Sequence, residues 1–273
     1  MTASLHSSIL VTLGVAIGTL AAGPVAAQSP GPSYPPGPFK EEITVTATGE
    51  ATDTKDVPVP TTVISREEMD DAQLEGVSDV LRRVPGMTIM RSGNEGKVTS
   101  AFTRGTNSTQ TLVLFDGVRL SSPYIGGYDL SLLTTAGLER VEVARGPYSA
   151  LWGADAIGGV INAIPRIGNP GFEGTIFGEG GETGWRRFEG DLNFGGSHFN
   201  VYLSGLHREG EGELENDDFE TQQGLLNVGW NWTNGSRLSV VAQNVESETG
   251  IPFVTPDVPT PARRQNAEQR LLA

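Results

Sequence analysis

Carboxylates are the side chains of this 273-residue sequence best placed to do chemistry. Residues 208–220 hold Glu209, Glu211, Glu213, Glu215, Asp217, Asp218 and Glu220 against the single Arg208. Several carboxylate oxygens in one loop are what a hard cation such as Ca²⁺ requires, and a solvated acidic loop has the same composition. Asp116, Glu139 and Glu142 could act in acid–base chemistry. However, Asp116 belongs to an Asp-Gly turn, and the two glutamates stand beside Arg140 and Arg145, so a structural role is the simpler reading. Cysteine is absent, and histidine occurs only at positions 6, 198 and 207. That excludes disulfides and thiolate sites, a three-His metal centre in a mature chain, and a nucleophile–His pair within residues 7–197. No GxxxxGK[ST] loop is present. The sequence therefore points to no enzyme. Nineteen Lys and Arg against 33 Asp and Glu leave a formal charge of −14, the wrong sign for a nucleic-acid partner.

The elements that would position these residues begin after an export signal. Residues 9–22 form an uncharged apolar run, followed by small residues up to Ala27. The run is too short to span a bilayer but suits a signal-peptide core, so residues 1–27 are expected to be a signal peptide. Residues 28–40 are rich in Pro and Gly and read as an extended linker. Residues 41–48 (EEITVTAT) alternate apolar and polar side chains, which predicts a strand. With no obvious hairpin partner, it joins either the edge of the next domain or a sheet in another protein.

Residues 57–166 read as an α+β domain of short elements. Strands are expected near 59–64, 87–90, 101–104, 111–115, 118–120, 141–143 and 158–164. A helix over 66–73 is announced by Ser65 and Glu68 at capping-box spacing. A second follows from Val77, Val80, Leu81 and Val84 at i, i+3, i+4, i+7. Asp116-Gly117 marks a two-residue hairpin turn, and residues 148–153 a short helix. After Pro165 the pattern changes to strands of about ten residues near 171–180, 185–194, 198–207, 221–232 and 237–245. Short turns alternate with long connections at 208–220 and 247–264. Alternating ten-residue segments suit a transmembrane β-barrel, with Phe194, Trp230 and Trp232 placed for an aromatic girdle. A soluble β-sandwich would share the alternation.

The stretches ITVTA (43–47), LRRVPG (81–86), RGTNSTQTLVLFDGVRL (104–120) and ERVEVARGPYSALWGADAIGGVINAI (139–164) resemble TonB-dependent receptors of Gram-negative outer membranes. RGTN, LVLFDGVRL and GADAIGGVIN look most like the cobalamin-receptor branch, although siderophore receptors share most of them. The fold implied is an α+β plug domain (57–166) followed by antiparallel strands of an incomplete outer-membrane β-barrel (167–273). A TonB box and tether would occupy 41–56. The resemblance implies that Ile43, Thr44, Val45, Thr46 and Ala47 pair with the periplasmic TonB protein of the inner-membrane motor. It also implies active uptake of cobalamin or a ferric siderophore across outer-membrane lipid. Plug apices, and hence ligand contacts, are expected at Arg91, Ser92 and Asn94 and at Ser122, Pro123, Tyr124 and Tyr128. Residues 215–219 (ENDDF) resemble the calcium loop of cobalamin receptors, making Glu215, Asp217 and Asp218 the candidate metal ligands. No other cofactor is implied. Five strands, with a possible sixth beginning at Gln265, cannot close a barrel of ~22, and the last residues, Arg-Leu-Leu-Ala, lack a terminal aromatic. The expectation is a fragment or truncated product that does not transport alone; the alternative is a soluble periplasmic binding or signalling module.

Overall fold

The computed structural model describes residues 43–44, 52–53, 60–121, 126–233, 235–255, 258–259 and 264–273. The signal peptide, the linker, Val45, Thr46, Ala47, Ser122, Pro123 and Tyr124 lie outside the described residues. The chain divides into residues 1–40 and 41–273, and only the second unit is described below.

Two short strands, β1 (Ile43–Thr44) and β2 (Thr52–Asp53), pair antiparallel, Ile43 with Asp53 and Thr44 with Thr52. The first strand therefore has a local partner, where the sequence suggested a lone strand. The pair forms its own two-stranded sheet and does not extend the sheet that follows. An isolated two-stranded hairpin is marginally stable at best in water.

The α+β domain opens with β3 (Thr61–Ser65) and α1 (Arg66–Asp71). The capping box is present in full: Ser65 Oγ accepts from the Glu68 N–H, and the Glu68 carboxylate accepts from the Ser65 N–H at 2.9 Å. Helix α2 (Val77–Arg82) buries Val77, Val80 and Leu81. Strands β4 (Met87–Arg91) and β5 (Thr99–Thr103) form a separate hairpin. Then come β6 (Thr111–Phe115), β7 (Val118–Leu120), β8 (Leu138–Arg145), the short helix α3 (Ser149–Trp152) and β9 (Gly159–Pro165).

The main sheet runs β3-β8-β9-β6-β7, with β6 and β9 parallel and the other pairs antiparallel. All five residues of β6 are buried, because this strand is covered on both faces. Val113 and Phe115 join Met69, Leu81, Val141 and Ile161 in one core. Leu112 and Leu114 meet Ala144, Tyr148 and Val160 on the opposite face. The Asp116-Gly117 turn has φ of 50° and 79°, the double positive φ that a two-residue hairpin prefers and that Gly and Asp tolerate.

The second layer is a six-stranded antiparallel sheet in the order β10 (Gly171–Gly180), β11 (Arg186–Gly195), β12 (Phe199–Gly210), β13 (Phe219–Asn231), β14 (Arg237–Gly250) and β17 (Arg264–Leu272). The small hairpin β15 (Phe253–Thr255) and β16 (Val258–Pro259) lies between the last two. Strands run further into the acidic segment than expected. Glu209 and Glu220 are paired residues of β12 and β13, so the true loop is 211–218.

Burial alternates strictly along β13: Thr221, Gln223, Leu225 and Asn227 are buried, while Gln222, Leu226, Val228 and Trp230 are exposed. On β12 the buried set includes Asn200, Ser204 and Arg208, with Leu203 exposed. Polar residues thus dominate the inward face, beside Tyr202, Leu206 and Leu225, while apolar residues dominate the outward one, the arrangement of a membrane barrel wall. Ile176 on β10 is 96% exposed. Phe172, Phe194, Phe199 and Trp230 form a continuous ring contact, with centroids 5.4–6.5 Å apart, across four strands of the outward face. This is one arc of the expected aromatic girdle. Toward the opposite strand ends the outward face turns polar, with Glu209 opposite Glu220, Glu220 opposite Glu248 and Glu246 opposite Glu268.

Candidate functional site

The α+β domain meets the inward face of the wall mainly through polar groups. Gln223 accepts from Thr134 Oγ1 at 2.6 Å and donates to the Ala136 carbonyl at 3.0 Å. Asn227 donates to the Arg166 carbonyl at 3.0 Å. Arg187 on β11 lies 3.5 Å from Glu75 and also pairs with Glu189, and Arg66 reaches Glu189 at 3.9 Å. Burial holds the Glu75 carboxyl above its ordinary range, outweighing the nearby Arg187 and Arg208. A cavity of about 470 Å³ opens between the α1 region and β10–β11, lined by Arg66, Gln73, Glu75, Thr175 and Glu179 among others. A smaller apolar patch of Tyr202, Leu225, Val241 and Val245 packs against the domain core. The backbone comes close to the wall at Gly137 (φ 74°), where a Cβ would sit 2.5 Å from both Leu225 Cδ2 and Ser204 Oγ.

The loop after β4 carries the first group of candidate ligand residues. Ser92 closes it by bonding the Val98 carbonyl, N–H at 3.0 Å and hydroxyl at 3.2 Å. Ser92 and Asn94 are exposed. Arg91 is engaged by Glu95 at 2.8 Å and Asp79 at 3.8 Å. The loop is fastened to the wall: Arg208 reaches Glu95 at 3.1 Å, and Thr249 Oγ1 donates to the Gly96 carbonyl at 3.1 Å. Lys97, almost buried, lies 3.1 Å from Asp217 and donates to the Gly250 carbonyl. Asn94 Nδ2 donates to the other oxygen of Asp217.

Two expectations are corrected by this geometry. Tyr128 is not presented to a ligand, because its ring is buried and its hydroxyl bonds Gln269 on β17. Burial accordingly raises the phenol above its ordinary value. The calcium triad also fails to assemble. Asp217 is taken by Lys97 and Asn94, Asp218 by Arg264 at 2.8 Å, and Glu215 is exposed. Among the described residues no three His, Asp or Glu gather as metal ligands. The expected pairing of Glu142 does appear, with Arg140 at 2.8 Å, while Glu139 turns to Arg166 at 3.7 Å. The roles of Lys97, Arg187 and Arg208 were not legible in the sequence, since each depends on a partner more than 80 residues away.

A plug-sized α+β domain seated on the polar face of an outward-apolar β-wall is the fold arrangement of a plug against barrel strands. Residues 53–160 match the family model described as TonB-dependent Receptor Plug Domain. Residues 53–160 are accordingly similar to that plug domain, and the strands that follow share the fold of the solved receptors described next. Three solved structures share this fold. The pyoverdine outer membrane receptor FpvA from Pseudomonas aeruginosa PAO1, bound to pyoverdine, is 22% identical with a TM-score of 0.68, over 76% of this chain and 30% of that one. The siderophore receptor PiuA from Acinetobacter baumannii is 23% identical with a TM-score of 0.61, over 76% and 30%. The ferric yersiniabactin uptake receptor FyuA from Yersinia pestis is 21% identical with a TM-score of 0.61, over 70% and 32%. The chain spans less than a third of the length of these receptors.

Proposed function

We propose that the chain serves in the outer membrane as part of a receptor for active uptake of a siderophore-type ligand, energised through periplasmic TonB. The observation that carries this reading is the polar seating of the plug on the inward face of the wall. Charge pairs and side-chain hydrogen bonds make up most of that contact, with only a smaller apolar patch at Tyr202, Leu225, Val241 and Val245, which suits a plug that must shift. The structures described above are a pyoverdine receptor, a siderophore receptor and a ferric yersiniabactin uptake receptor; the cobalamin-type alternative is supported only by the motifs at 104–107, 112–120 and 153–162. In this reading Arg91, Ser92 and Asn94, with Ser122, Pro123 and Tyr124, present the ligand surface. Residues 43–47 pass to TonB by strand addition. The weak pairing of Ile43–Thr44 with Thr52–Asp53 supports that step, since two backbone pairs are readily exchanged for a longer partner strand.

The test is binding of a purified periplasmic TonB domain to the chain in detergent micelles, with and without Val45→Pro, which removes a ladder donor. The expected result is at least tenfold weaker binding of the variant. Equal binding contradicts the assignment of residues 43–47. A parallel titration with ferric pyoverdine and with cyanocobalamin separates the two ligand classes.

A further inference from the structure

We propose that Lys97 acts as a built-in counter-cation for Asp217 that completes the ordering of the outer acidic loop 211–218, so that this loop is fully held while the plug's apex loop is seated. The loop carries Glu211, Glu213, Glu215, Asp217 and Asp218 with no cation of its own. Like charges at this density repel and favour an open, solvated chain. Yet Asp217 is 3% exposed, and a buried carboxylate requires a charge or hydrogen-bond partner. Both of its oxygens are met from the plug, one by Lys97 Nζ at 3.1 Å and the other by Asn94 Nδ2. The wall cation nearest the loop, Arg264, pairs with Asp218 and not with Asp217, and Arg208 is engaged by Glu95.

The ammonium also donates to the Gly250 carbonyl, which ties the end of β14 to the same point. Gly250 in turn donates to the Asp218 carbonyl at 2.8 Å, and Asn216 Nδ2 to the Ile251 carbonyl at 2.9 Å. Two outer connections of the wall thus converge on one plug side chain. Lys97 is the only lysine beyond residue 60, and a compact ammonium with three donors suits a pocket of converging oxygens better than a planar guanidinium. The backbone brings it close enough because Gly96 has φ 77° and no side chain. A Cβ there would lie 2.7 Å from Thr249 Oγ1 and 3.0 Å from Phe219 Cβ.

The consequence is reciprocal. Displacing the apex loop strips the counter-charge from Asp217 and frees the outer loop, and pulling the outer loop away unseats the apex. This coupling does not depend on which ligand the receptor carries.

Hydrogen exchange of the chain in detergent micelles tests it. Lys97→Met keeps the stem and removes the charge, while Asp217→Asn keeps the shape and the contact with Asn94. Both are expected to speed exchange at amides 213–218 at least tenfold. The plug-core amides 113–115 and 160–163 should stay unchanged, and EDTA should not affect the wild type. Unchanged exchange at 213–218 in either variant overturns the proposal. So does loosening of that loop by EDTA, which would place a metal ion there. Equal loss of protection in the plug core also overturns it, since the pair would then hold the whole fold and not the loop.

Discussion

Single residues decide how closely the plug lies on the wall. At Gly137 a methyl group would collide with Leu225 and Ser204, and its φ of 74° already disfavours any L side chain. Gly137→Ala is expected to cost about 1–3 kcal/mol, read as a lower urea midpoint in micelles. An unchanged midpoint would mean that the contact is not tight. Glu75 gives a pH signature. Because burial raises its pKa in the folded chain above the ordinary 4.5, the folded state holds the proton more tightly than the unfolded state. The resulting stabilisation is complete below that ordinary value and fades as pH rises through the raised one. Glu75→Gln should remove this part of the pH dependence. Superimposable wild-type and variant profiles across that range would contradict it. Nothing in the sequence singles out Glu75, because its Arg187 neighbour comes from a strand over a hundred residues away.

Elements follow from local signals more faithfully than contacts do. Ser65 and Glu68 announced α1, Asp116-Gly117 announced the β6–β7 turn, and the ten-residue alternation announced the wall strands. Each of these is a short-range rule of capping, turn geometry or pleat. Strand ends were less legible: β12 and β13 run through Glu209 and Glu220 because ladder pairing continues where the side chains have become charged. The order β3-β8-β9-β6-β7 was hidden as well, since it depends on a parallel crossover that no local pattern encodes. Ser65→Ala should cost about 1 kcal/mol and lower protection in α1 before the main sheet. On the wall, Leu226 faces outward in the apolar band while its neighbour Leu225 packs on the plug. Leu226→Arg should therefore lose about 2–4 kcal/mol in lipid vesicles, whereas Gln222→Arg, in the outward polar region of the same strand, should be nearly neutral. Equal effects would place both positions in the same environment.

At the scale of the whole molecule, the decisive feature is which face of the wall is buried. Alternation in the sequence shows that two faces differ but not which one turns inward. The plug's polar rim chose, by pairing with Gln223, Asn227, Arg187 and Arg208. The apolar face that remains carries Ile176, Leu203, Leu226, Val228 and the aromatic arc, which suits hydrocarbon and not water. The absence of cysteine makes this directly measurable. Single cysteines at 225, 226, 227, 228 and 240 can each carry a nitroxide, and collision with oxygen can be compared with collision with a water-soluble nickel chelate in micelles. The account predicts that 226, 228 and 240 meet oxygen and not the chelate, while 225 and 227 meet neither. Chelate access at 226, 228 and 240 equal to that at the exposed Ser92 would contradict it and return the chain to a soluble sandwich.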